Sequence, residues 1–285
     1  MIVFGPVPSR RLGRSIGINN IPPKVCSYSC IYCQLGKAMR MTDTPESFYS
    51  PDEIYGEMLL KLRKLKTKEE AIDYLTFVAD GEPTLDCHLG EIIGKMKSFG
   101  YKIAVISNAS QLWREEVREI LLNTDLVSVK VDAVEHDIWK KINRPYKTLD
   151  LSLILEGISE FAAMYKGKLI TETMLIKDVN DSDAHIRQVA STLREINPAI
   201  AYLSIPTRPP AESWVKPVGN NTLNRCYQLF DKKLSRVEYL IGYEGSAFSS
   251  SGNFTEDILS ITSVHPMRKE AVEKLLQKDN ENWQK

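Results

Sequence analysis

Short runs of β-branched and aromatic residues alternate with helical patterns of apolar residues along most of the chain, and turn residues separate them. The short runs predict strands over residues 15–19, 73–79, 102–106, 126–131, 168–176 and 201–205. The longer periodic segments predict helices over residues 51–65, 89–99, 115–122, 149–165, 183–196 and 222–234.

Each predicted strand is followed by a predicted helix, which is typical of a parallel sheet with right-handed crossovers. We therefore expect an α/β fold in which the sheet curves into a partial (β/α)6 barrel, similar to a TIM barrel. In such folds, ligands bind at the carboxyl ends of the strands, where the loops into the helices lie. Candidate functional residues belong in those loops.

The C-terminal part of the chain has a different pattern. Residues 254–261 and 267–276 predict two short helices joined by a turn at residues 263–266. We expect a barrel over residues 1–240 and a short helical C-terminal extension over residues 241–285. The two helices either cap the open side of the barrel or begin a helix-turn-helix or winged-helix element that lacks a further helix or wing.

Composition excludes several classes of protein. Apolar residues make up 43% of the chain and charged residues 26%, a mixture that can bury a sizeable core. No apolar run has the length of a membrane span, and the first residues lack the pattern of a signal peptide. We therefore expect a cytoplasmic protein.

The charge balance argues against a broad nucleic-acid-binding surface. There are 37 basic and 37 acidic residues, so the net charge is zero, whereas such surfaces carry a basic excess. A local patch is still compatible with this balance. Basic residues cluster at residues 10–14, 61–68 and 140–147, and we interpret the middle cluster as a solvated helix face.

Three of the five cysteines, Cys26, Cys30 and Cys33, lie within eight residues that read C-S-Y-S-C-I-Y-C. An odd count without a signal peptide favours metal or catalytic use over disulfides. This spacing lets one loop hold three corners of an iron–sulfur cubane and leaves one iron open. Zinc is the alternative, but structural zinc wants four ligands, and the next cysteine is Cys87. We expect Cys87 and Cys226 to be structural.

The spacing Cys-x-x-x-Cys-x-x-Cys after a first strand, with Tyr32 before the third cysteine, resembles the radical S-adenosylmethionine superfamily. Residues 5–19 and 21–36 resemble its branch of iron–sulfur oxidoreductases, which are related to the wybutosine-synthesis enzymes that modify transfer RNA. The resemblance covers about residues 5 to 240. It implies a [4Fe–4S] cluster on the three cysteines, with S-adenosyl-L-methionine chelated to the open iron.

The resemblance also implies a reaction. Reductive cleavage of S-adenosylmethionine yields a 5′-deoxyadenosyl radical, which abstracts hydrogen from a substrate that the sequence does not identify: a small molecule, a peptide or a transfer RNA. The electron should come from a flavodoxin or a ferredoxin-type reductant. Tyr32 should lie against the adenine, although simple loop packing would also explain it. No side chain is assigned to catalysis itself.

A second motif follows the second predicted strand. The segment A-D-G-E-P-T-L is similar to the Gly-Gly-Glu-Pro element of the superfamily, with Gly81, Glu82 and Pro83 matching and Asp80 in place of the first glycine. The resemblance implies contacts from this element to the methionine amino group. An ammonium needs acceptors, and glycine lets a backbone carbonyl approach closely. An ordinary turn would use the same residue types.

Polar residues also end the third and fourth predicted strands. Ser107 and Asn108 resemble a Thr-Asn-Gly element that binds ribose or substrate, or they cap the next helix. Lys130 and Asp132 alternate with valines and so share one face of the strand. Asp132 resembles a ribose-binding carboxylate, and Lys130 can bind a carboxylate or phosphate. The alternative is that Lys130 and Asp132 form an ion pair with each other and bind no ligand.

Two other functions remain open from the sequence. A transfer-RNA base-modifying enzyme would be favoured by a basic surface at the cluster from Arg10, Arg11, Lys24 and Arg40, and disfavoured by the zero net charge. An iron–sulfur sensor that binds DNA through the C-terminal helices is disfavoured by the S-adenosylmethionine motifs and by the incomplete helix-turn-helix.

Overall fold

The computed structural model describes residues 2–66, 71–241, 254–262 and 267–278. The strands in these residues are β1 (Val3–Ser9), β2 (Gly13–Ile18), β3 (Val25–Cys26), β4 (Arg40–Met41), β5 (Tyr74–Phe77), β6 (Lys102–Ser107), β7 (Leu126–Lys130), β8 (Lys168–Met174), β9 (Ile200–Ser204) and β10 (Val237–Tyr239). The helices are α1 (Pro51–Lys66), α2 (Leu89–Lys97), α3 (Glu115–Leu121), α4 (His136–Asn143), α5 (Leu151–Met164), α6 (Asp183–Ile196), α7 (Asn220–Asp231), α8 (Phe254–Thr262) and α9 (Lys269–Lys278). A 3-10 turn spans Pro83–Leu85.

Eight of the strands form one sheet in the order β1-β2-β5-β6-β7-β8-β9-β10. All neighbours are parallel except β1 and β2, which form an antiparallel hairpin. The sheet ends at β1 and β10, so within the described residues the barrel is partial and open. The short strands β3 and β4 pair with each other beside the sheet.

The predicted (β/α)6 core is confirmed, since all six predicted strands and all six predicted helices are present with shifts of a few residues at their ends. Side-chain caps account for several of the helix starts. The Ser50 hydroxyl accepts from the backbone N–H of Glu53, and Asp150 and Ser182 cap α5 and α6 in the same way.

The sequence did not predict β1, β10 or α4. Strand β1 contains Pro6 and Pro8, which cannot donate to a ladder and therefore argue against a strand. The structure accommodates them because β1 is an edge strand whose register with β2 shifts between Phe4 and Val7. Helix α4 is eight residues long and begins without a side-chain cap, so it carries little signal.

The turn between β1 and β2 closes one end of the barrel. Leu12 is 4% exposed and packs against apolar residues near the amino ends of four strands. These residues are Ala104, Leu126, Ile170, Ile200 and Tyr202. The turn therefore covers the amino ends of these strands, whereas ligands of such folds bind at the opposite, carboxyl ends.

The two predicted C-terminal helices are confirmed as α8 and α9. Ile261, Ala271 and Leu275 are buried between them, and Val7 of β1 packs against this cluster. This position on the edge strand agrees with a helical cap on the barrel. The turn predicted at residues 263–266 lies outside the described residues, and the domain boundary after residue 240 stays a prediction. No helix in the described part of the chain combines the length and apolarity that a membrane crossing needs.

Substitution of Leu12 tests the plug. Leu12→Ala should lower the free energy of unfolding by about 2–5 kcal/mol, because it removes a buried side chain and leaves a cavity. Urea denaturation measures this loss. The matched control Leu153→Ala changes a leucine that is 50% exposed on α5 and should stay within about 0.5 kcal/mol of the wild type. Equal effects of the two substitutions would show that the turn does not close the barrel.

Candidate active site

A cavity of about 860 Å³ is lined by residues from the β1–β2 turn, from the inside of the barrel strands and from loops at the carboxyl ends of the strands. Its lining includes Arg11 from the β1–β2 turn, Cys33 from the cysteine loop, Asp80 after β5, and Lys130 and Glu172 from β7 and β8. Interior positions of closed barrels are usually filled by apolar side chains. Here these charged side chains share the lining with apolar ones such as Phe4, Ile106 and Met174, so the cavity could hold a ligand that has both charged and apolar parts.

The cysteine loop, residues 26–33, is held by the last residues of α4 and by the segment that follows this helix. The N–H groups of Ser29 and Ile31 donate to the carbonyls of Asn143 and Ile142 at 3.1 and 2.9 Å. The N–H of Tyr146 in turn donates to the carbonyl of Ser27 at 2.8 Å. The loop is therefore fixed by backbone bonds on the side away from β5.

Side-chain amides point at two of the cysteine sulfurs. Asn108 Nδ2 lies 3.5 Å from Cys26 Sγ, which also accepts from the N–H of Tyr28 at 3.5 Å. Asn143 Nδ2 lies 3.4 Å from Cys30 Sγ. Such bonds favour a thiolate over a thiol and tune the potential of a cluster. Sequence reasoning missed Asn143, because it ends a helix that was not predicted.

Without a metal, the three cysteines are neutral thiols. Burial and the charge of Glu82 raise the pKa of Cys26 far above its usual range. Burial and Asp132 raise the pKa of Cys30 to about 12, and burial also raises the pKa of Cys33. Metal binding must therefore displace protons from these sulfurs.

The donor set fits an iron–sulfur cluster better than a single ion. Cys26, Cys30 and Cys33 are free and half-buried on one loop. Within the described residues, no three His, Cys, Asp or Glu side chains are grouped so that they could hold one metal ion. A cluster separates its thiolates over different irons, whereas zinc requires four ligands around one point. These three cysteines could hold three corners of a cubane.

Gly81 brings the loop after β5 against the cysteine loop. A β-carbon at Gly81 would lie 1.9 Å from the carbonyl oxygen of Val25, the residue before Cys26. The same carbonyl accepts from the N–H of Glu82 at 3.2 Å, and the N–H of Lys24 donates to the Asp80 carbonyl at 2.7 Å. Only glycine permits this approach. Pro83 is buried and begins the 3-10 turn.

The Glu82 carboxylate is 1% exposed and accepts four hydrogen bonds. The donors are the Thr84 N–H at 3.2 Å, the Thr84 hydroxyl at 2.6 Å, the Ser107 hydroxyl at 2.7 Å and the Asn108 N–H at 2.7 Å. Burial raises the pKa of Glu82, and these donors act in the opposite direction. Glu82 thus ties the end of β5 to the end of β6, while its contact with a methionine ammonium stays a prediction.

Ser107 and Asn108 serve local structure as well as the site. The Ser107 hydroxyl accepts from the N–H of Ala109 at 2.9 Å, and Asn108 Oδ1 accepts from the N–H of Ser110 at 2.9 Å. Asn108 Nδ2 also donates to the Ser27 hydroxyl at 3.0 Å. Asn108 therefore connects Glu82 to the cysteine loop.

The side chains of Tyr32, Lys130 and Asp132 are in mutual contact, as their shared face predicts for the last two. The Tyr32 hydroxyl donates to Asp132 Oδ2, and Lys130 Nζ lies 4.9 Å from the centre of the Tyr32 ring. Asp132 is 3% exposed and also accepts from Asn143 Nδ2 and the Met174 N–H, both at 2.8 Å. Tyr32 and Lys130 line the cavity.

Lys130 does not pair with Asp132 alone, because a third charged residue, Glu172, lies closer to it. Lys130 Nζ lies 3.8 Å from Asp132 Oδ1 but only 3.1 Å from Glu172 Oε1. Glu172 is the register partner of Lys130 on β8, and its other oxygen lies 2.7 Å from Arg11 Nη1. Burial would raise the pKa of Glu172, but the charges of Lys130 and Arg11 outweigh it and lower this pKa to about 2.

The sequence missed Glu172 as a site residue because it lies inside a strand and belongs to no motif. It also grouped Arg10 and Arg11 with Lys24 and Arg40 in one basic surface. The structure divides this group: Arg10 and Arg11 line the cavity, whereas the half-buried Lys24 and the exposed Arg40 lie beside the cysteine loop and are not part of the cavity lining. The four residues therefore do not all face the cavity.

Comparison with known proteins identifies the family that shares these motifs. Residues 20–190 match the family model described as the Radical SAM superfamily. The chain belongs to the Radical SAM superfamily. It is 48% identical over 281 residues to a UPF0026 protein of Methanocaldococcus jannaschii, covering 98% of this chain and 87% of that relative.

Two solved structures have a similar fold. TYW1 with a lysine–pyruvate adduct bound has a TM-score of 0.59 at 16% identity, covering 79% of this chain and 76% of that one. SuiB of Streptococcus suis, bound to S-adenosylmethionine, has a TM-score of 0.58 at 13% identity, covering 79% and 50%. Membership in the superfamily makes this chain an enzyme that uses a [4Fe–4S] cluster and S-adenosylmethionine. The DNA-binding sensor is thereby disfavoured.

A glycine substitution tests the contact between the two loops. Gly81→Ala should cost about 1–3 kcal/mol or more of folding stability, because its β-carbon collides with backbone. It should also lower the iron content after anaerobic reconstitution. The collision would displace Val25 and with it the next residue, Cys26, which is a proposed cluster ligand. Gly94 on α2 is the matched control, because no atom lies within 4 Å of an added β-carbon there. Gly94→Ala should be neutral or stabilising by up to about 1 kcal/mol, and a similar result for Gly81→Ala would refute the close approach.

The second substitution removes the charge between Arg11 and Lys130. Glu172→Gln should cost about 3–5 kcal/mol at neutral pH, because two partly buried cations lose their counter-charge. Folding lowers the pKa of the Glu172 carboxyl, so its charged form stabilises the folded protein. This stabilisation is complete above the pKa that Glu172 has in the unfolded chain, and it is lost as the pH falls from about 5 to about 2. Urea unfolding at several pH values should show the difference from wild type shrinking in acid.

The control for that measurement is Glu156→Gln, which changes an exposed glutamate on α5. It should leave stability within about 0.5 kcal/mol of wild type at every pH. A Glu172→Gln protein whose deficit did not depend on pH would contradict the proposed charge pairing.

Proposed function

We propose that Cys26, Cys30 and Cys33 hold a [4Fe–4S] cluster whose open iron faces the barrel cavity, and that the enzyme uses it for hydrogen abstraction from a substrate. The observation that carries this proposal is the location of three free thiols on one loop, of which Cys33 lines the barrel cavity. When bound and reduced, the cluster supplies the electron that cleaves S-adenosylmethionine into methionine and a 5′-deoxyadenosyl radical.

The chain's own residues prepare this loop for the cluster. Asn108 and Asn143 would donate hydrogen bonds to the thiolates of Cys26 and Cys30, at the distances already present between these atoms. Each such bond stabilises the negative charge that remains on sulfur after the thiol proton is lost. Glu82 fixes Asn108 by accepting its N–H, and so acts on the cluster through a second residue.

The methionine part of S-adenosylmethionine would lie against Gly81, Glu82 and Pro83. Asp80, the residue before Gly81, lines the cavity. The missing side chain at Gly81 lets this segment pack against the Val25 carbonyl of the cysteine loop. Burial raises the pKa of Asp80, but a bound ammonium would favour its charged form. We propose direct contact of the ammonium with this segment, with Glu82 both a candidate acceptor and the group that holds the segment in position.

The adenosine part would lie along the opposite wall. Tyr32 offers its ring to the adenine, Ser107 and Asp132 are candidate partners for the ribose, and Lys130 would bind a carboxylate or a phosphate. Because Asp132 is buried and already accepts from Tyr32, its first effect would be to hold the tyrosine ring in place. The predicted contact of Asp132 with the ribose would use the lone pairs of its carboxylate oxygens that accept no hydrogen bond from the protein.

The plugged end of the barrel would protect the reaction. A primary carbon radical abstracts hydrogen from C–H and S–H donors within its reach, so the substrate must bind where other donors are excluded. Leu12 and the Arg11–Glu172 pair close the cavity floor, which leaves the carboxyl end as the entrance. We propose that the substrate, whether a small molecule, a peptide or part of a transfer RNA, enters there.

The proposed electron donor is a flavodoxin or a ferredoxin-type protein, because thiolate clusters can have strongly negative potentials. The five cysteines are free thiols. We propose a cytoplasmic location for the enzyme, because a reducing compartment keeps such thiols available for metal.

The experiment is a product assay. Anaerobically reconstituted, reduced protein supplied with S-adenosylmethionine should release 5′-deoxyadenosine and methionine in equal amounts, slowly without substrate and faster with it. Substrate should raise the rate because its binding excludes water and positions a C–H bond. Liquid chromatography with mass spectrometry measures both products.

Cysteine variants provide the controls for this assay. Cys26→Ala, Cys30→Ala or Cys33→Ala should abolish both the cluster absorption and the products, whereas Cys87→Ala and Cys226→Ala should retain them. A product set with only methyl transfer or a 3-amino-3-carboxypropyl group would overturn the deoxyadenosyl mechanism. Full activity in the three loop variants would remove these cysteines from the site.

A further inference from the structure

Four residues beside the cysteine loop, of which three are exposed and Lys24 is half-buried, have no role in the proposed chemistry. We call Lys24, Lys37, Met39 and Arg40 the basic rim. Met39 is 82% exposed, the highest value among the large apolar side chains of the described residues. The Lys37 and Arg40 side chains are 65% and 52% exposed.

Backbone contacts bring the rim together beside the cysteines. The N–H groups of Met39 and Arg40 donate to the Lys24 carbonyl at 3.0 and 3.2 Å. In the β3–β4 pair, Arg40 is the register partner of Val25 and Met41 that of Cys26. The rim is therefore directly adjacent to a proposed cluster ligand, on the side of the loop that faces solvent.

The rim is basic in a chain whose net charge is zero. Glu46 pairs with Arg40, and Glu212 pairs with both Lys37 and Arg144. Lys24, Lys37, Arg40 and the neighbouring Arg144 against Asp43, Glu46 and Glu212 give four positive and three negative charges, a local excess of +1. An excess of one sign attracts a partner of the opposite sign and raises its association rate.

An exposed methionine surrounded by cations is typical of a protein-binding surface. Methionine and arginine are enriched in the centres of interfaces, and the thioether side chain adapts to different partner surfaces. A single exposed apolar residue is ordinary by itself. Here it lies next to the loop that holds the proposed cluster ligands, and between Lys37 and Arg40 in the chain.

We propose that the basic rim docks an acidic electron-carrier protein, of the flavodoxin or ferredoxin class, and that electrons enter the enzyme here. This inference rests on the proposed function. One electron leaves the carrier, which is oxidised, and enters the cluster, which is reduced. No atom or proton is transferred, and no bond changes in this step.

The test compares a protein reductant with a small one. Cluster-loaded Lys37→Glu/Arg40→Glu protein is mixed with a reduced flavodoxin of negative net charge, and the bleaching of the cluster absorption is followed by stopped flow. The second-order rate of reduction should fall by about tenfold or more, and the wild-type rate should fall as salt is added. Binding of the oxidised flavodoxin to the variant, measured by calorimetry, should weaken in parallel. Reduction by dithionite should be unchanged, because a small reductant needs no docking surface.

A charge reversal elsewhere is the matched control. Lys97→Glu/Arg187→Glu changes two exposed cations on α2 and α6 and should leave the rates with both reductants at the wild-type value. Met39→Ser tests the apolar part of the rim and should weaken flavodoxin binding without changing the iron content.

Several outcomes would overturn the docking proposal. One is an unchanged rate with flavodoxin in Lys37→Glu/Arg40→Glu, and another is an equal loss with flavodoxin and dithionite. A third is loss of transfer-RNA binding in a gel-shift assay while flavodoxin keeps its rate, since the rim would then bind nucleic acid. Failure of the proposed function itself would look different: wild-type protein reduced by dithionite would form no 5′-deoxyadenosine.

Discussion

The arrangement at the open end of the barrel depends on one buried carboxylate. Glu82 accepts from Thr84 on its own segment and from Ser107 and Asn108 at the end of the next strand, so two parallel strands end in a fixed geometry. Asn108 then contacts Ser27 and the sulfur of Cys26, and Gly81 lies against the carbonyl of Val25. An unpaired buried carboxylate would be costly, so these donors are required as a set. The cysteine loop and the S-adenosylmethionine motif are thus parts of one hydrogen-bonded unit.

A second chain of polar contacts crosses the inside of the barrel. It runs from Arg11 through Glu172 and Lys130 to Asp132 and Tyr32, and its two cations and two carboxylates balance. Charges in such a position are tolerated because each is paired and hydrogen-bonded. The barrel can therefore hold these charged side chains in its interior without a large electrostatic penalty. This is the condition for holding a charged cofactor and a substrate where other barrels hold apolar side chains.

The strand–helix units of the barrel and the residues that belong to sequence motifs could be predicted from the sequence. Six strand–helix units, the cysteine spacing and the Asp80–Pro83 segment all carry local signals. Residues whose importance arises from tertiary contacts could not be predicted in this way. Glu172 lies inside a strand and belongs to no motif, and Asn143 is the last residue of a helix that begins without a side-chain cap. Arg11 belongs to a basic cluster in the sequence, and only the folded β1–β2 turn places it in the cavity lining. Strand β1 was hidden by its prolines, which an edge strand tolerates.

The central claim is that S-adenosylmethionine binds to one open iron of a cluster held by Cys26, Cys30 and Cys33. Mössbauer spectroscopy of protein reconstituted with ⁵⁷Fe, before and after addition of S-adenosylmethionine, tests it most directly. The account predicts that about one quarter of the cluster iron changes its isomer shift and quadrupole splitting on addition, while the other irons keep theirs. A spectrum of cluster iron that S-adenosylmethionine leaves unchanged, or iron present only as mononuclear sites, would contradict it.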